Sequence, residues 1–259
     1  MIDSTDPLLL LAAFGAALLA GAGNAMAGGG TNLSFPILIW IGIPPVAANA
    51  TNSVGLWPGS AGAAWSYKEA LARGDRRWWW LAAPSLVGGG LGAWLLLTLP
   101  PTWFGAIAPF LVIVASGLVA VEPMLRRWLR SPGHEDAGRG WIAGATTVQF
   151  LIAVYGGYFG AGIGILLLTT LGLMGMHDMH EANAWKNVMA VAIKGVAVLY
   201  FVLAGVLVWP VVLVMAVGST LGGYATGRFI QRFDQRVLRW LVVAMGVGMG
   251  LVLLIERNG

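Results

Sequence analysis

The chain has few charged residues. Of its 259 residues only 10% are charged and 58% are hydrophobic, whereas a soluble domain of this size carries about 25% charged residues. So few charges do not cover a water-facing surface, which excludes a water-soluble enzyme and a nucleic-acid-binding protein. We therefore examine the net charge of +4 first as a signal of membrane topology.

Several kinds of chemistry have no residues to support them. Cysteine is absent, which excludes disulfides, thiolate metal sites and a catalytic thiol. The glycine runs Gly28–Gly30 and Gly88–Gly90 are not followed by Gly-Lys-Ser/Thr, so neither is an ATP-binding phosphate loop. No Gly-x-Ser-x-Gly elbow or intramembrane Ser–His pair is found. We expect no enzymatic activity, no cofactor, no cleavable export signal at the acidic N-terminus, and transport without ATP hydrolysis.

Uncharged runs of about 20 residues recur along the chain, and each is long enough as a helix to cross a hydrocarbon core of about 30 Å. The predicted full-length spans are Leu8–Met26, Val46–Tyr67, Trp78–Leu99, Trp103–Val121, Trp141–Phe159, Ala182–Leu203, Leu207–Gly227 and Val237–Ile255. Two further apolar segments, Leu33–Ile43 and Ile163–Met176, are too short to cross alone, and each follows a glycine-rich break. We expect broken or re-entrant half-helices there, which membranes tolerate where the backbone is buried in protein or lines a cavity.

The basic residues predict the topology. Twelve of the fifteen lysines and arginines fall in three short loops, which the positive-inside rule places in the cytoplasm. The twelve are Lys68, Arg73, Arg76, Arg77, Arg126, Arg127, Arg130, Arg139, Arg228, Arg232, Arg236 and Arg239. Ten crossing segments with both termini outside satisfy this rule, whereas eight spans put one basic loop on the wrong side. We prefer the ten-segment arrangement.

The chain also contains an internal duplication. Ala48–Val54 is similar to Ala182–Val188 at an offset of 134, and the two glycine breaks match at a nearly equal offset. We predict a first membrane repeat over 1–125, a cytoplasmic linker over 126–140 and a second membrane repeat over 141–259. Because each half has five segments, an odd number, the second repeat enters the membrane in the opposite orientation to the first. Inverted repeats of this kind are typical of secondary transporters, which have a substrate site near the midplane. The predicted fold is thus an all-α polytopic membrane protein with two inverted-topology repeats.

A polar stripe on one predicted helix suggests the ligand. The stripe comprises Asn183, Lys186, Asn187 and Lys194, and its counterparts in the first repeat are Asn49, Asn52, Ser53 and Ser60. Two lysines and no carboxylate on an intramembrane helix face favour an anionic ligand. The alternatives are that the asparagines and serines only hold helices together, that Lys186 snorkels to the interface, and that Lys194 pairs with Glu122.

The glycine breaks supply a second set of candidate residues. A half-helix that begins after a break offers unpaired N–H groups and the positive end of its dipole, both suited to an oxyanion. The candidates at the two breaks are Gly30, Thr31, Asn32, Ser34 and Gly162. Inversion aims the two N-termini at each other across the midplane. The alternative is that Thr31, Asn32 and Ser34 only cap their helix.

One cluster has residue types that bind metals. His177, His180 and Glu181 lie within five residues of each other, and they give the alternative function of a divalent metal-ion carrier. We take a solvated turn and helix cap as the default for this segment and predict no metal site.

The two motifs together resemble a known family. The stretches 28–33 and 42–52, with their counterparts 157–162 and 181–187, are similar to the TauE/SafE family, which exports sulfite and organosulfonates across bacterial cytoplasmic membranes. The resemblance covers nearly the whole chain and implies a multi-pass inner-membrane transporter. It implicates the glycine breaks, Asn49–Asn52 and Asn183–Asn187 in permeation, while Pro58 and His177–Glu181 depart from the family pattern.

The sequence therefore predicts a secondary transporter that exports a small oxyanion, such as sulfite or a short organosulfonate, by alternating access. Its expected partners are that anion and the lipid bilayer, with no nucleic acid. The sequence also permits a homo-oligomer.

Overall fold

The computed structural model describes residues 6–26, 29–73, 76–129, 139–176, 178–229 and 235–258, and these ranges contain helices and no strand. The helices are α1 (Pro7–Met26), α2 (Thr31–Trp40), α3 (Pro45–Ser66), α4 (Lys68–Arg73), α5 (Ala82–Thr98), α6 (Pro101–Leu129), α7 (Arg139–Tyr158), α8 (Ile163–Leu173), α9 (Met179–Ala204), α10 (Trp209–Phe229) and α11 (Gln235–Asn258), with a 3-10 turn over Arg76–Leu81 before α5. Gly28, His134, His177 and most of the predicted linker lie outside the described residues.

The predicted all-α polytopic membrane fold is confirmed. Seven of the eight predicted full-length spans each correspond to one long helix, and the span Trp78–Leu99 corresponds to the end of the 3-10 turn followed by α5. Four of the spans are both long and apolar enough to cross a membrane. In the structure these four are Pro7–Asn24, Trp78–Thr98, Pro101–Met124 and His180–Ala204. α3 is less apolar because Asn49, Thr51 and Asn52, all fully buried, face the protein interior.

Local sequence sets where the helices begin and end. α3 begins at Pro45, in the first helical turn where the missing proline N–H costs nothing. α9 ends at Gly205, whose φ of 68° is left-handed and suits a residue without a Cβ. At the start of α9 the Asp178 carboxylate accepts the N–H groups of His180 and Glu181 at 2.7 and 3.0 Å. Asp178 thus caps the helix, as the sequence predicted for this segment.

The two short helices lie where the glycine breaks predicted them. α2 has 10 residues and α8 has 11, so at 1.5 Å per residue each is only about 15 to 17 Å long. Gly160 and Gly162 before α8 have φ of 75° and 69°, a conformation that favours glycine. Gly30 before α2 is instead right-handed, with φ of −60°. The two breaks therefore differ in backbone geometry although their sequences match.

Most of the helix packing joins the first half of the chain to the second. α1 packs on α10, α5 packs on α7, α3 and α5 both pack on α9 and α3 also packs on α10. Small residues permit this close approach. A methyl group built on Gly157 would overlap the Gly89 carbonyl, and one on Gly21 would overlap the Ser219 carbonyl.

The contacts at the two ends of α3 give its direction relative to α9. The ring of Tyr67, just after α3, lies 5.2 Å from that of His180 at the start of α9. At the other end, the Val208 N–H donates to Thr51 Oγ1 at 3.1 Å. α3 and α9 are therefore antiparallel. We call the end at Tyr67 the inner end, because the basic residues that follow it predict a cytoplasmic location.

Candidate functional site

A cavity opens between the two halves of the chain, in the inner half of the helix bundle. It has a volume of about 30 Å³, which is room for about two water-sized groups or one small oxyanion. It is lined by α1, α3, α8 and α9, through Asn24, Gly59, Ser60, Ala63, Ile163, Gly164, Lys186, Asn187, Ala190 and Lys194. No aspartate or glutamate is among these lining residues.

The spacing of residues on α9 and α3 explains why the cavity is there. Asn187, Ala190 and Lys194 are separated by three and four positions and so share one face of α9. Across from them, α3 presents Gly59 and Ala63, whose small side chains leave space between the helices. The helical pattern that suggested the polar stripe therefore also positions three of its four members, Lys186, Asn187 and Lys194, around one space.

Lys194 is buried without a counter-charge. Its side chain is 5% exposed, and among the described residues it has no hydrogen bond or ion pair. Glu122, the partner considered from sequence, is paired with Arg239 at 3.3 Å instead. An unpaired ammonium group inside a membrane protein is costly and is typical of a ligand or ion pathway.

Lys186 is the second cation of the cavity. It is 2% exposed, so its side chain is enclosed by the protein. Its Nζ donates to the Asn183 Oδ1 at 3.1 Å, one turn earlier on α9. Asn183 thus contacts the cavity lysine without lining the cavity itself.

The N-terminus of α8 faces the same cavity through Ile163 and Gly164. The preceding residue is Gly162, which has no side chain to cap the helix. The N–H groups of Ile163 and Gly164 have no backbone acceptor within the described residues. Two N–H donors and the positive end of the α8 dipole therefore add to the field of the lysines.

The predicted residues of the first half form a separate, closed group. Asn49 donates through Nδ2 to the Tyr158 carbonyl at 2.8 Å, and the Ser34 hydroxyl donates to Asn52 Oδ1. The two asparagines do hold segments together, as the alternative interpretation proposed. The predicted residues that do not line the cavity are Gly30, Thr31, Asn32, Ser34, Asn49, Asn52, Ser53, Gly162 and Asn183.

The closed group contains several buried polar atoms without partners. Among the described residues, both amide atoms of Asn32, the Oδ1 of Asn49 and the Nδ2 of Asn52 are buried with no hydrogen bond. Each such atom costs about 1–3 kcal/mol. These unpaired atoms on three asparagines of the first half therefore form an expensive arrangement in this conformation.

Aromatic side chains pack above this group toward the outer end. Phe35 lies 6.0 Å from Phe104 and 5.2 Å from Phe159, measured between ring centroids. All three rings are at most 1% exposed, and Tyr158 adds a fourth ring at 5.5 Å from Phe104. This aromatic cluster closes the outer half of the bundle between α2, α6 and the break before α8.

In the segment with metal-binding residue types, the described side chains of Asp178 and His180 make other contacts. Asp178 caps α9, and these two N–H bonds lower the pKa of its carboxyl group. His180 stacks against Tyr67. Among the described residues no group of three or more His, Asp or Glu side chains converges on one point, and His177 lies outside them.

Asn24 and Gly59 are cavity residues that the sequence analysis did not single out, whereas Ser60, named there as a counterpart of the polar stripe, does line the cavity. Asn24 has no counterpart motif in the second half, because the offset of 134 leads to Tyr158. Ser60 is the position that corresponds to Lys194 at this offset, so the repeat itself contained the signal for it.

Comparison with known proteins places the chain in a family. The family model described as Sulfite exporter TauE/SafE matches residues 13–253. A "Probable membrane transporter protein" of Haemophilus influenzae is 27% identical over 225 residues, which cover 86% of this chain and 85% of the relative. The "Probable membrane transporter protein YfcA" of Escherichia coli is 27% identical over 258 residues, which cover 98% and 93%.

A third relative, the "Probable membrane transporter protein ORF9" of Sinorhizobium, is 26% identical over 248 residues, which cover 96% of this chain and 93% of the relative. No solved structure matches the chain. The match of the family model over nearly the whole chain, together with the helical membrane fold, shows that this multi-pass membrane protein belongs to the TauE/SafE family of membrane transporters.

Proposed function

We propose that the protein is a secondary transporter that moves a small oxyanion, such as sulfite or a short organosulfonate, out of the bacterial cytoplasm across the inner membrane. The observation that carries this proposal is the cavity with two buried lysines, the N-terminus of α8 and no carboxylate. The family description, which names sulfite, agrees with an anionic substrate.

The electrostatics of the cavity favour an anion strongly. A unit charge about 4 Å from one ammonium group gains about 4 kcal/mol at an effective dielectric constant of about 20. The same field repels a cation, so the site discriminates by charge. An anion that enters also relieves the burial cost of Lys194, which has no partner in the described structure.

The helix packing supports the proposed inverted duplication. If α1, α2, α3, α5 and α6 correspond to α7, α8, α9, α10 and α11, exchanging the halves turns the α1–α10 contact into α5–α7 and the α3–α10 contact into α5–α9. The contacts α3–α9 and α6–α11 then map onto themselves. In addition, Trp57 Nε1 donates to the Val191 carbonyl at 3.2 Å. These two residues are 134 positions apart and so are equivalent positions of the two repeats, which are expected to meet near a two-fold axis.

The difference between the halves supports alternating access. The offset maps the cavity residues Lys186 and Asn187 onto Asn52 and Ser53, which are buried and are not among the residues that line the cavity. The open space thus lies beside this pair in the second half, whereas the corresponding pair in the first half is packed beneath the aromatic cluster. In the proposed cycle the two halves exchange these roles around a ligand near the midplane.

The membrane potential supplies the driving force. An interior-negative potential favours anion exit by about 2.3 kcal/mol per charge for each 100 mV. Export of a monovalent anion therefore needs no ATP and no coupled ion.

The proposal is tested with purified protein in proteoliposomes loaded with sulfite. We expect Lys186→Ala and Lys194→Ala each to abolish efflux. Lys68→Ala is the matched control, because Lys68 is exposed beside the Trp65 ring outside the cavity. Undiminished efflux from both cavity variants would contradict the role of the lysines, and absence of sulfite flux in the wild-type protein would contradict the substrate.

A further inference from the structure

We propose that Asn24 is a substrate-contacting residue that ties the anion to the break before α2. This inference rests on the proposed anion transport and adds a contact from the first half of the chain to the two lysines of the second half.

The geometry fixes the orientation of the Asn24 amide. Asn24 lies in the last turn of α1 and lines the cavity together with Lys186 and Lys194. Its Oδ1 accepts the Gly30 N–H at 2.9 Å. Because the oxygen is held by Gly30, the NH2 group must point away from that bond. The NH2 group carries two donors and has no partner in the part of the chain that the structure describes.

Asn24 and the break before α2 are locked together. A methyl group built on Gly30 would lie 2.7 Å from the Asn24 Cγ and would overlap the Ala20 carbonyl. This close approach and the hydrogen bond at 2.9 Å couple the Asn24 amide to the backbone of Gly30. A displacement of the break therefore moves the Asn24 amide relative to the cavity.

The chemistry of the cavity suits this donor. An oxyanion has several acceptor oxygens, and two ammonium groups on α9 do not saturate them. The Asn24 NH2 donates from α1, on the opposite side of the cavity, without adding charge. The bound anion then bridges the two halves of the chain, which is what a substrate must do if its binding drives their relative movement.

The test separates a ligand contact from a purely structural cap. Asn24→Asp keeps the size of the side chain and the acceptor for the Gly30 N–H, and replaces the NH2 donor by a carboxylate oxygen. We expect Asn24→Asp to raise the KM for sulfite flux in proteoliposomes by about tenfold or more, because the new charge repels the anion. Ala63→Asp, which adds the same charge to the cavity lining from α3, is the matched control, and we expect it to raise KM less than Asn24→Asp does.

A structural cap gives the opposite result. If Asn24 only holds Gly30, Asn24→Asp raises KM no more than Ala63→Asp does, and that result overturns the proposal. Should Asn24→Asp fail to fold, Asn24→Ser serves instead, since its hydroxyl keeps a short acceptor without the amide donor. A raised KM in Asn24→Ser supports the contact and a wild-type KM refutes it. Wild-type protein that does not move sulfite refutes the proposed function itself, so the two failures are distinguishable.

Discussion

Replacement of Lys194 by methionine changes folding stability and ligand binding in opposite directions. Methionine has a similar length but no charge, so it fills the same space in the middle of α9. Lys194 is 5% exposed and has no partner among the described residues. Replacing a residue with a structural role would lower the folding stability of the protein. A lysine that is buried in order to bind an anion instead destabilises the ligand-free protein.

The magnitudes follow from the burial and the cavity. The effective cost of burying an unpaired ion is several kcal/mol, so we expect Lys194→Met to raise the stability of the ligand-free protein by about 1–3 kcal/mol once relaxation is included. A charge-assisted hydrogen bond contributes about 1.5–3 kcal/mol. Its loss weakens anion binding by about 10- to 100-fold.

The assay is thermal unfolding of the detergent-purified protein with and without sulfite. We expect the variant to unfold at a higher temperature than wild type without sulfite, and to show little or none of the sulfite-induced increase. Lys68→Met, outside the cavity, should keep the wild-type response. A destabilised Lys194→Met variant, or one with an undiminished sulfite response, would refute the reasoning.

Other predictions test the cap, the access route and the packing. Asp178→Ala should lower stability by about 1 kcal/mol at neutral pH, and the difference from wild type should vanish in unfolding measurements as the pH falls through about 4 and below, because the lowered pKa of the carboxyl group makes its contribution depend on the charged form. In the naturally cysteine-free chain, Asn187→Cys in the cavity should react with a small water-soluble thiol reagent and be protected by sulfite, while Ser53→Cys, at the buried corresponding position of the first half, should react slowly; equal rates would contradict the asymmetry between the halves. Gly157→Val should destabilise the protein by about 2 kcal/mol or more by forcing α7 from α5, whereas Gly144→Ala, with open space around it, should not; equal stabilities would show that the close packing is dispensable.

The helices could be predicted from the sequence because the thickness of the membrane sets the length of each crossing segment. A run between charges must be about 20 residues long to cross, and glycine marks the places where it does not. Gly160 and Gly162 with positive φ show why that break needs glycine. α4 was not predicted, because a short polar helix in a loop has no such length requirement, and the predicted span from Trp78 begins within the 3-10 turn rather than in α5.

The site was only partly predictable. Helical spacing alone identified Lys186, Asn187 and Lys194 as neighbours, and all three line the cavity. The repeat pairs them with residues of the first half, but a sequence repeat describes both halves alike. In the proposed cycle one state opens only one half, and the closure over Asn52 then belongs to the conformation and not to the sequence pattern.

Asn24 shows a second limit. It stands alone in an apolar helix, and its place beside Lys194 depends on how α1 packs across the break before α2, which no spacing rule gives.

The most direct test of anion export is the response of sulfite flux to an imposed membrane potential. Proteoliposomes loaded with sulfite are given a potassium diffusion potential, negative inside, of about 100 mV. We predict that the wild-type protein releases sulfite faster at this potential than at zero potential, and that Lys194→Ala releases it no faster than protein-free liposomes. Wild-type release equal to that of protein-free liposomes at both potentials would contradict the proposed function.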